Sequence, residues 1–498
     1  MLLPFEKMFL QNHKLEIDFF IPIPVPGSIE TRGVKTLFGD PKKAIIKLAI
    51  PMIIAMSVQT IYNFVDAVWV SGFSSWLFTT STVEETGKLA LAALGFVLPF
   101  YMMAIAISTG IGVGGSSAVS RRIGARDKQG ADNVAIHSII ITILISIVYT
   151  IIFYIFAEKL FIIIGAGESL GMATSYGHII FAGSLVIFFI NIATALLRGE
   201  GDAKRAMYAL VMGAGLNIIL DPIFIFTFRM GVAGAAYATI LSMGLSALLL
   251  IYWLFFRKNT YVTLNFRDFK FKKEIVKDIF KVGFPASIQQ LSMSFMMLVL
   301  NYIIVTVASA GDNGVAVYST GWRVVTIAIL PLLGLATAVT SVTGASYGEK
   351  EYKKLDTAFV YSVKFGLMIE IIIAFFIFLL APFITIVFTT GHGSAEIAPD
   401  LEKFITISCF FYPSAAFGIA SSAMFQGTGR GFYSLIATLL RTVILMPILA
   451  IFFCCFFQLG LTGVWWGIVA ANLIGSVISF AWAKIFIHNL RKQKNAGG

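Results

Sequence analysis

Gln59, Tyr62, Asn63 and Asp66 fall at i, i+3, i+4 and i+7 within an apolar run from about Ala44 to Val70. On an α-helix this spacing gathers them on one face, a polar stripe ending in a carboxylate. The run is long enough to cross a bilayer. A charge inside a membrane costs at least roughly 2.5–3.5 kcal/mol, so it is normally paired, protonated or ion-bound. Asp66 is therefore a candidate site for a coupling cation or a proton. Asn217 and Asp221, at i and i+4, share a face of a second apolar run. Counting roughly 1.5 Å per residue, Asp66 lies about 28 Å beyond Lys47 and Asp221 about 24 Å beyond Arg205. Thr239, in the run that follows, lies about 12 Å inward from Gly231 by the same rise. Two carboxylates with asparagine and threonine oxygens make an all-oxygen site for a hard monovalent cation, Na⁺. The same two carboxylates could instead share a proton. The residues alone leave Na⁺ and H⁺ open.

Other polar residues stand in weaker positions. Asn191 and Thr194, one turn apart, either border the same cavity or tie helices together. Tyr176 is within reach of that cavity. Glu200 and Asp202 fall in a loop, where a solvated turn is favoured over a role in transport. Arg323, Glu370 and Arg441 are charges within apolar runs of the second half, suited either to an internal ion-pair network or to substrate. Lys364, near one end of its run, is expected to snorkel. His137 and His178 sit near helix starts and are expected to pack.

These residues need membrane helices to position them. The 498 residues are 58% hydrophobic and only 13% charged, with mean hydropathy +0.87. A soluble chain of this length is nearer half apolar and a quarter charged. Apolar runs of membrane-spanning length recur along nearly the whole chain, which defines an all-α polytopic membrane protein. Continuous rather than alternating runs exclude an outer-membrane barrel.

About twelve spans are expected, near 44–70, 90–118, 134–156, 176–197, 206–228, 232–256, 280–306, 315–342, 358–382, 403–425, 434–457 and 462–486. The net charge of +11 reflects lysines and arginines collected in alternate loops, not a nucleic-acid surface. Arg121, Arg122, Arg126 and Lys128 mark one such loop; Lys350, Lys353 and Lys354 mark another. The opposite loops hold only Lys88, Lys159 and Arg229. Both termini are therefore expected in the cytoplasm. Cys409, Cys454 and Cys455 lie within apolar runs, so neither disulfides nor a zinc site are expected. Residues 1–36, with Pro22, Pro24 and Pro26, read as a cytoplasmic N-terminal extension. At 39–43, Asp40 can cap a helix whose first residue is Pro41.

The chain is also duplicated. A basic linker, 257–278, divides residues 37–256 from 279–488, and 489–498 form a cytoplasmic tail. Residues 42–51 echo 276–285, 198–201 echo 426–429, and 230–237 echo 459–466. Each half has six spans, so the copies run parallel about an axis along the membrane normal. The duplication is informative because Asp66 aligns with Leu300, and Gln59, Tyr62 and Asn63 with Met293, Met296 and Met297. Asp221 aligns with Met446. Packing alone does not require the first-half polarity. Gly110, Gly112 and Gly115 match Gly-x-Gly-x-x-Gly, but they lie inside an apolar span without a preceding strand. Close helix packing explains them. No Walker motif, metal-site histidine cluster or Asp-rich prenyl-diphosphate motif occurs, which argues against ATP-driven transport and membrane enzymology.

Several stretches resemble the MATE (multidrug and toxic compound extrusion) transporters, most closely archaeal DinF-like members. They are Gly-Asp-Pro-Lys-Lys-Ala (39–44) with Pro51 and Asp66, Arg-Arg-Ile-Gly-Ala-Arg (121–126), Leu-Arg-Gly-Glu-Gly-Asp (197–202) and Leu-Asn-Ile-Ile-Leu-Asp-Pro-Ile-Phe (216–224). The resemblance covers about residues 37–490. It implies twelve helices in two pseudo-symmetric six-helix bundles (a MATE/MOP-type fold), a V-shaped cleft and cation-driven export of lipophilic, often cationic drugs. It places ion coupling on Asp66 and Asp221, with Asn217 and Thr239 beside them. Gln59, Tyr62, Tyr176 and Asn191 would line the first-lobe cavity, and Thr194 stands where a relative has asparagine. The expected protein is a monomeric plasma-membrane antiporter in contact with lipid, without cofactor or nucleic acid, whose first span bends near Pro51. A lipid-linked oligosaccharide flippase is the alternative, although it would favour a cationic cavity for pyrophosphate. A lipid-modifying enzyme lacks a catalytic cluster, and a passive channel would not need two asymmetric lobes.

Overall fold

A computed structural model describes residues 31–70, 83–257, 259–266, 269–389 and 395–496; the side chains of 63, 64, 66–70, 83–88, 91 and 395 lie outside that description. The elements are helices throughout the described residues. In the first half they are α1 (Arg32–Phe38), α2 (Pro41–Val70), α3 (Val83–Gly124), α4 (Lys128–Ile163), α5 (Leu170–Ala182), α6 (Ser184–Gly199), α7 (Ala203–Pro222) and α8 (Gly231–Ile251). In the second they are α9 (Lys273–Tyr302), α10 (Gly311–Ala328), α11 (Leu330–Gly348), α12 (Tyr352–Thr389), α13 (Ala398–Ser408), α14 (Tyr412–Gly427), α15 (Gly431–Leu439), α16 (Met446–Cys455) and α17 (Gly460–Ala496). Among the described residues, ten helical segments are long and apolar enough to cross a bilayer. The pairs α5–α6 and α13–α14, bent by 46° and 55°, raise the number of spans to twelve.

Local chemistry sets the starts of these helices. Asp40 accepts from the Lys42 N–H at 2.9 Å, Asp127 from the Gly130 N–H at 2.8 Å and Asp202 from the Arg205 N–H at 3.2 Å. Each carboxylate satisfies an orphan donor and sits at the positive end of the helix dipole. The lipid-facing surface is apolar, with Ile151 and Ile155 on α4 and Phe375, Phe376 and Phe383 on α12 exposed.

Backbone geometry repeats between the halves as the sequence echoes do. Left-handed residues recur in pairs: Arg126 with Lys350, Gly201 with Gly429, Arg229 with Gln458, and Gly231 with Gly460. Non-glycine residues seldom adopt this conformation, so its recurrence at matching turns marks two copies of one fold. A π-helical turn, Ile223–Thr227, follows α7, and another, Leu440–Leu445, joins α15 to α16.

The lobes meet along α3, which packs on α9 and α11, and along α2, which packs on α11. Glycines allow the approach. A Cβ on Gly110 or Gly114 would overlap Gly283 or Ile279 of α9, and one on Gly124 would overlap the Ala345 carbonyl of α11. Gly112 faces Ala195 and Asn191, and Gly115 faces Ser138, so this glycine run serves helix packing as expected. At the basic end of this seam, Arg121 pairs with Asp278 at 2.8 Å and the Ser117 hydroxyl donates to the Gln426 carbonyl. Gly334 of α11 meets Ile53 of α2, and α10, which precedes α11, packs on α12 and α13 of its own lobe.

The Thr31-capped α1, which begins within the N-terminal extension, buries Val34 and Leu37, and the C-terminal tail continues α17, which runs unbroken to Ala496.

Candidate functional site

The sequence places Asn217, Asp221 and Thr239 together, and so does the structure. Asn217 and Asp221 share a face of α7, and Thr239 projects from α8, which packs on α7. The Asn217 amide donates to the Thr239 hydroxyl at 3.2 Å. All three are buried, Asp221 completely, and the Asn217 side-chain carbonyl has no hydrogen-bond partner among the described residues. A buried polar atom left so costs free energy. An uncompensated oxygen beside a buried carboxyl is chemistry that a hard cation would satisfy. Pro222, next to Asp221, lacks an N–H and cannot bond the carbonyl one turn back. The π-helical turn Ile223–Thr227 begins immediately after it, and such turns are frequent at functional sites.

α2, the helix that carries Gln59–Asp66, packs on α7. Tyr62 is buried, whereas Gln59 is exposed. The side chains of Asn63 and Asp66 lie outside the described residues. α2 passes through Pro51 as one helix from Pro41 to Val70. The repeat counterparts in the second lobe are different in kind: Met296, Leu300 and Met446 are buried within its apolar core.

The remaining cavity residues divide. Tyr176 packs beside Ala90, Ile225 and Ala235, between α3, α8 and the π-helical turn. Asn191 donates to the Ser108 hydroxyl of α3 at 3.1 Å and to the Ile187 carbonyl at 3.0 Å. Thr194 does not present its hydroxyl to a cavity. It is buried and donates back to the carbonyls of Ile190 and Asn191 within its own helix, a local bond open to any helical threonine.

Glu200 is not in a solvated turn. It is 2% exposed and accepts from the Val262 N–H at 2.8 Å. Burial is the main cause that holds its carboxyl up at about 8; the Val262 bond and Arg205 oppose the rise, and nearby Asp202 adds to it. This contact is one of several that strap the linker onto the first lobe. Asp132 accepts from the Thr263 N–H and hydroxyl at 2.8 and 2.7 Å. His137 is wedged between Phe269 and Phe271 and accepts at Nε2 from the Lys272 N–H at 3.0 Å. His137 packs, as expected, and so does His178, which stacks on Tyr154. The partners joined by this strap lie far apart in sequence and follow no local spacing, so sequence reasoning missed Asp132.

The second-lobe charges do not form an ion-pair network. Among the described residues, no salt bridge joins Arg323, Glu370 and Arg441. Arg323 is exposed on α10. Glu370 is fully buried in α12, with neither oxygen hydrogen-bonded among the described residues. Arg441 is buried in the π-helical turn, and its guanidinium occupies space that Gly418 leaves open. The second lobe instead holds an amide–hydroxyl chain that sequence reasoning missed. Gln289 donates to Thr438 at 2.5 Å, and Gln426 donates to Gln289 at 3.2 Å. Among the described residues, no group of three or more His, Cys, Asp or Glu is placed to hold a metal.

A duplicated twelve-span bundle with a buried oxygen site in one lobe defines a membrane transporter. The MatE family model matches residues 51–223 and 285–451, once in each lobe, and the chain belongs to the MATE family. It is 28% identical over 432 residues to "Multidrug export protein MepA" of Staphylococcus aureus (strain MRSA252), covering 86% of this chain and 90% of that protein. It is similar to a solved MOP superfamily transporter from Pyrococcus furiosus, with TM-score 0.86, 46% identity, and coverage of 93% of this chain and 99% of that one. A structure described as the outward-facing conformation of a multidrug resistance MATE family transporter matches with TM-score 0.86 and 46% identity, covering 92% and 99%. MATE proteins are transporters rather than enzymes, and this chain is a multi-pass membrane protein of that kind.

Proposed function

We propose that the protein is a secondary active antiporter that exports lipophilic and cationic compounds across the plasma membrane against inward flow of Na⁺ or H⁺. The observation that carries this reading is the buried Asn217–Asp221–Thr239 site, whose Asp221 carboxyl is replaced in the other lobe by Met446 of the apolar core. An asymmetric buried carboxyl in a duplicated bundle is a functional feature, because packing in the sister lobe does without it. Similarity to multidrug export proteins supports the substrate class.

Cation or proton binding at Asp221, with Asp66 on the adjoining α2, competes with substrate or bends α2 near Pro51. Exchange of the two lobes about the α3–α9 seam then alternates access. The basic loops lie in the cytoplasm with both termini. The protein works as a monomer.

The test is drug flux in proteoliposomes under Na⁺ and proton gradients imposed separately. One of the two gradients drives uptake of a cationic dye into inside-out vesicles, and Asp66→Asn and Asp221→Asn each abolish it while still reaching the membrane. Gradient-driven flux persisting in both variants would overturn the ion-site assignment.

A further inference from the structure

Where α2, α12 and α17 meet at the basic end, Lys42, Lys364, Lys484, Asp356, Val360 and Tyr361 line a cavity of about 460 Å³. Asp356 is already committed. It accepts from Lys484 Nζ at 2.6 Å and from Arg491 Nη2 at 3.0 Å. Among the described residues, neither Lys42 nor Lys364 has a carboxylate partner within salt-bridge distance. The lining sets Lys42, Lys364 and Lys484 against the single Asp356 carboxylate, two positive charges in excess, and Arg491, paired with Asp356, adds a third beside it. Ammonium groups gathered around a cavity suit a phosphate anion.

The walls identify the source of that phosphate. Lys364 lies eight residues beyond Asp356 on α12, about 12 Å further toward the bilayer, with Val360 and Tyr361 between them. One turn past Lys364, Met368 is exposed, and Ile485 beside Lys484 is exposed as well. A polar, cationic mouth therefore continues into apolar, lipid-facing surface. That sequence of environments fits a headgroup with acyl chains and would be wasted on a free ion. Basic pockets between membrane helices are recognised sites for anionic headgroups.

We propose that this cavity binds the phosphate of an anionic phospholipid. Lys42 belongs to the first lobe, and the other lining residues belong to the second. The site is complete only while the lobes are joined at the basic end, so the bound lipid favours that conformation over one in which they part there.

The test uses purified full-length protein and a Lys42→Gln/Lys364→Gln variant, whose substituted side chains hold no partner that folding requires. Dioleoylphosphatidylglycerol, dioleoylphosphatidylcholine and inorganic phosphate are titrated separately, with bound lipid read by native mass spectrometry. The expected result is retention of phosphatidylglycerol, weakened about fivefold for each lysine removed, with no difference between proteins in phosphatidylcholine. Equal retention of phosphatidylglycerol by both proteins overturns the site. Displacement of the lipid by millimolar inorganic phosphate overturns the lipid assignment. Spin labels at the exposed Lys43 and Lys353 positions, with Cys455→Ser, give a second readout: phosphatidylglycerol narrows the interlobe distance distribution in the wild-type background only. An identical distribution with and without the lipid overturns the conformational half of the proposal.

Discussion

Asn217 and Thr239, on adjoining helices 22 residues apart, are joined by a 3.2 Å hydrogen bond one turn from the buried Asp221. The bond uses the amide N–H and leaves the Asn217 carbonyl oxygen without a partner among the described residues. It therefore holds an oxygen in place beside a carboxyl rather than merely fastening two helices.

Replacing Thr239 by valine keeps the shape and removes the acceptor. A buried amide left unpaired costs about 1–3 kcal/mol, equivalent to a roughly 5–150-fold change in an equilibrium constant. Thr239→Val should raise the half-saturating concentration of the driving cation by about tenfold or more. Thr194→Val is the matched control, because the Thr194 hydroxyl is spent on carbonyls of its own helix. Flux measurements should separate the two variants; equal cation dependence would show that the Asn217–Thr239 bond plays no part in coupling.

How far these roles were legible depends on the reach of each contact. Asn217 and Asp221 share a helix face by spacing alone, and depth counted along each span brings Thr239 to them. The missing polarity at Met296, Leu300 and Met446 was readable because the chain carries its own comparison copy. Thr194 bonds back to its own helix, and in sequence such a threonine looks the same as one that faces a cavity or ties two helices. Glu200 was assigned to a solvated turn because its partner, Val262, lies 62 residues away in a linker with no regular pattern. Burial of that kind is a property of the docked strap, which no local window contains.

Glu200 gives the strap a pH dependence. Its carboxyl, ordinarily near 4.5, is pushed up to about 8 in the fold, chiefly by burial. The folded chain therefore holds more protons than the unfolded chain between those values, and stability falls as pH rises through that window. The slope from one such group reaches roughly 1.4 kcal/mol per pH unit. Glu200→Gln keeps an acceptor for the Val262 N–H and removes the ionisation. Its melting temperature should fall less than that of the wild type between pH 6 and 8. Parallel curves would place the raised ionisation elsewhere.

The glycine seam makes a prediction about the lobes themselves. Gly114 lies against Ile279 and Gly283 of the opposite lobe, so a side chain there must push α3 away from α9. The Arg121–Asp278 pair and the Ser117–Gln426 bond at the same seam would part with it. Gly114→Val should thus disfavour the conformation joined at the basic end and lower drug efflux, while the variant still reaches the membrane. Gly244→Ala on α8 meets no neighbouring atom and should stabilise that helix by up to about 1 kcal/mol, leaving transport intact. Accessibility of Ser120→Cys, a buried position of α3 against Gly344 of the opposite lobe, to a water-soluble thiol reagent in a Cys455→Ser background reads the difference. Labelling should accelerate in Gly114→Val and stay at the reference rate in Gly244→Ala. Unchanged labelling and efflux in Gly114→Val would mean that the α3–α9 seam is not where the lobes separate.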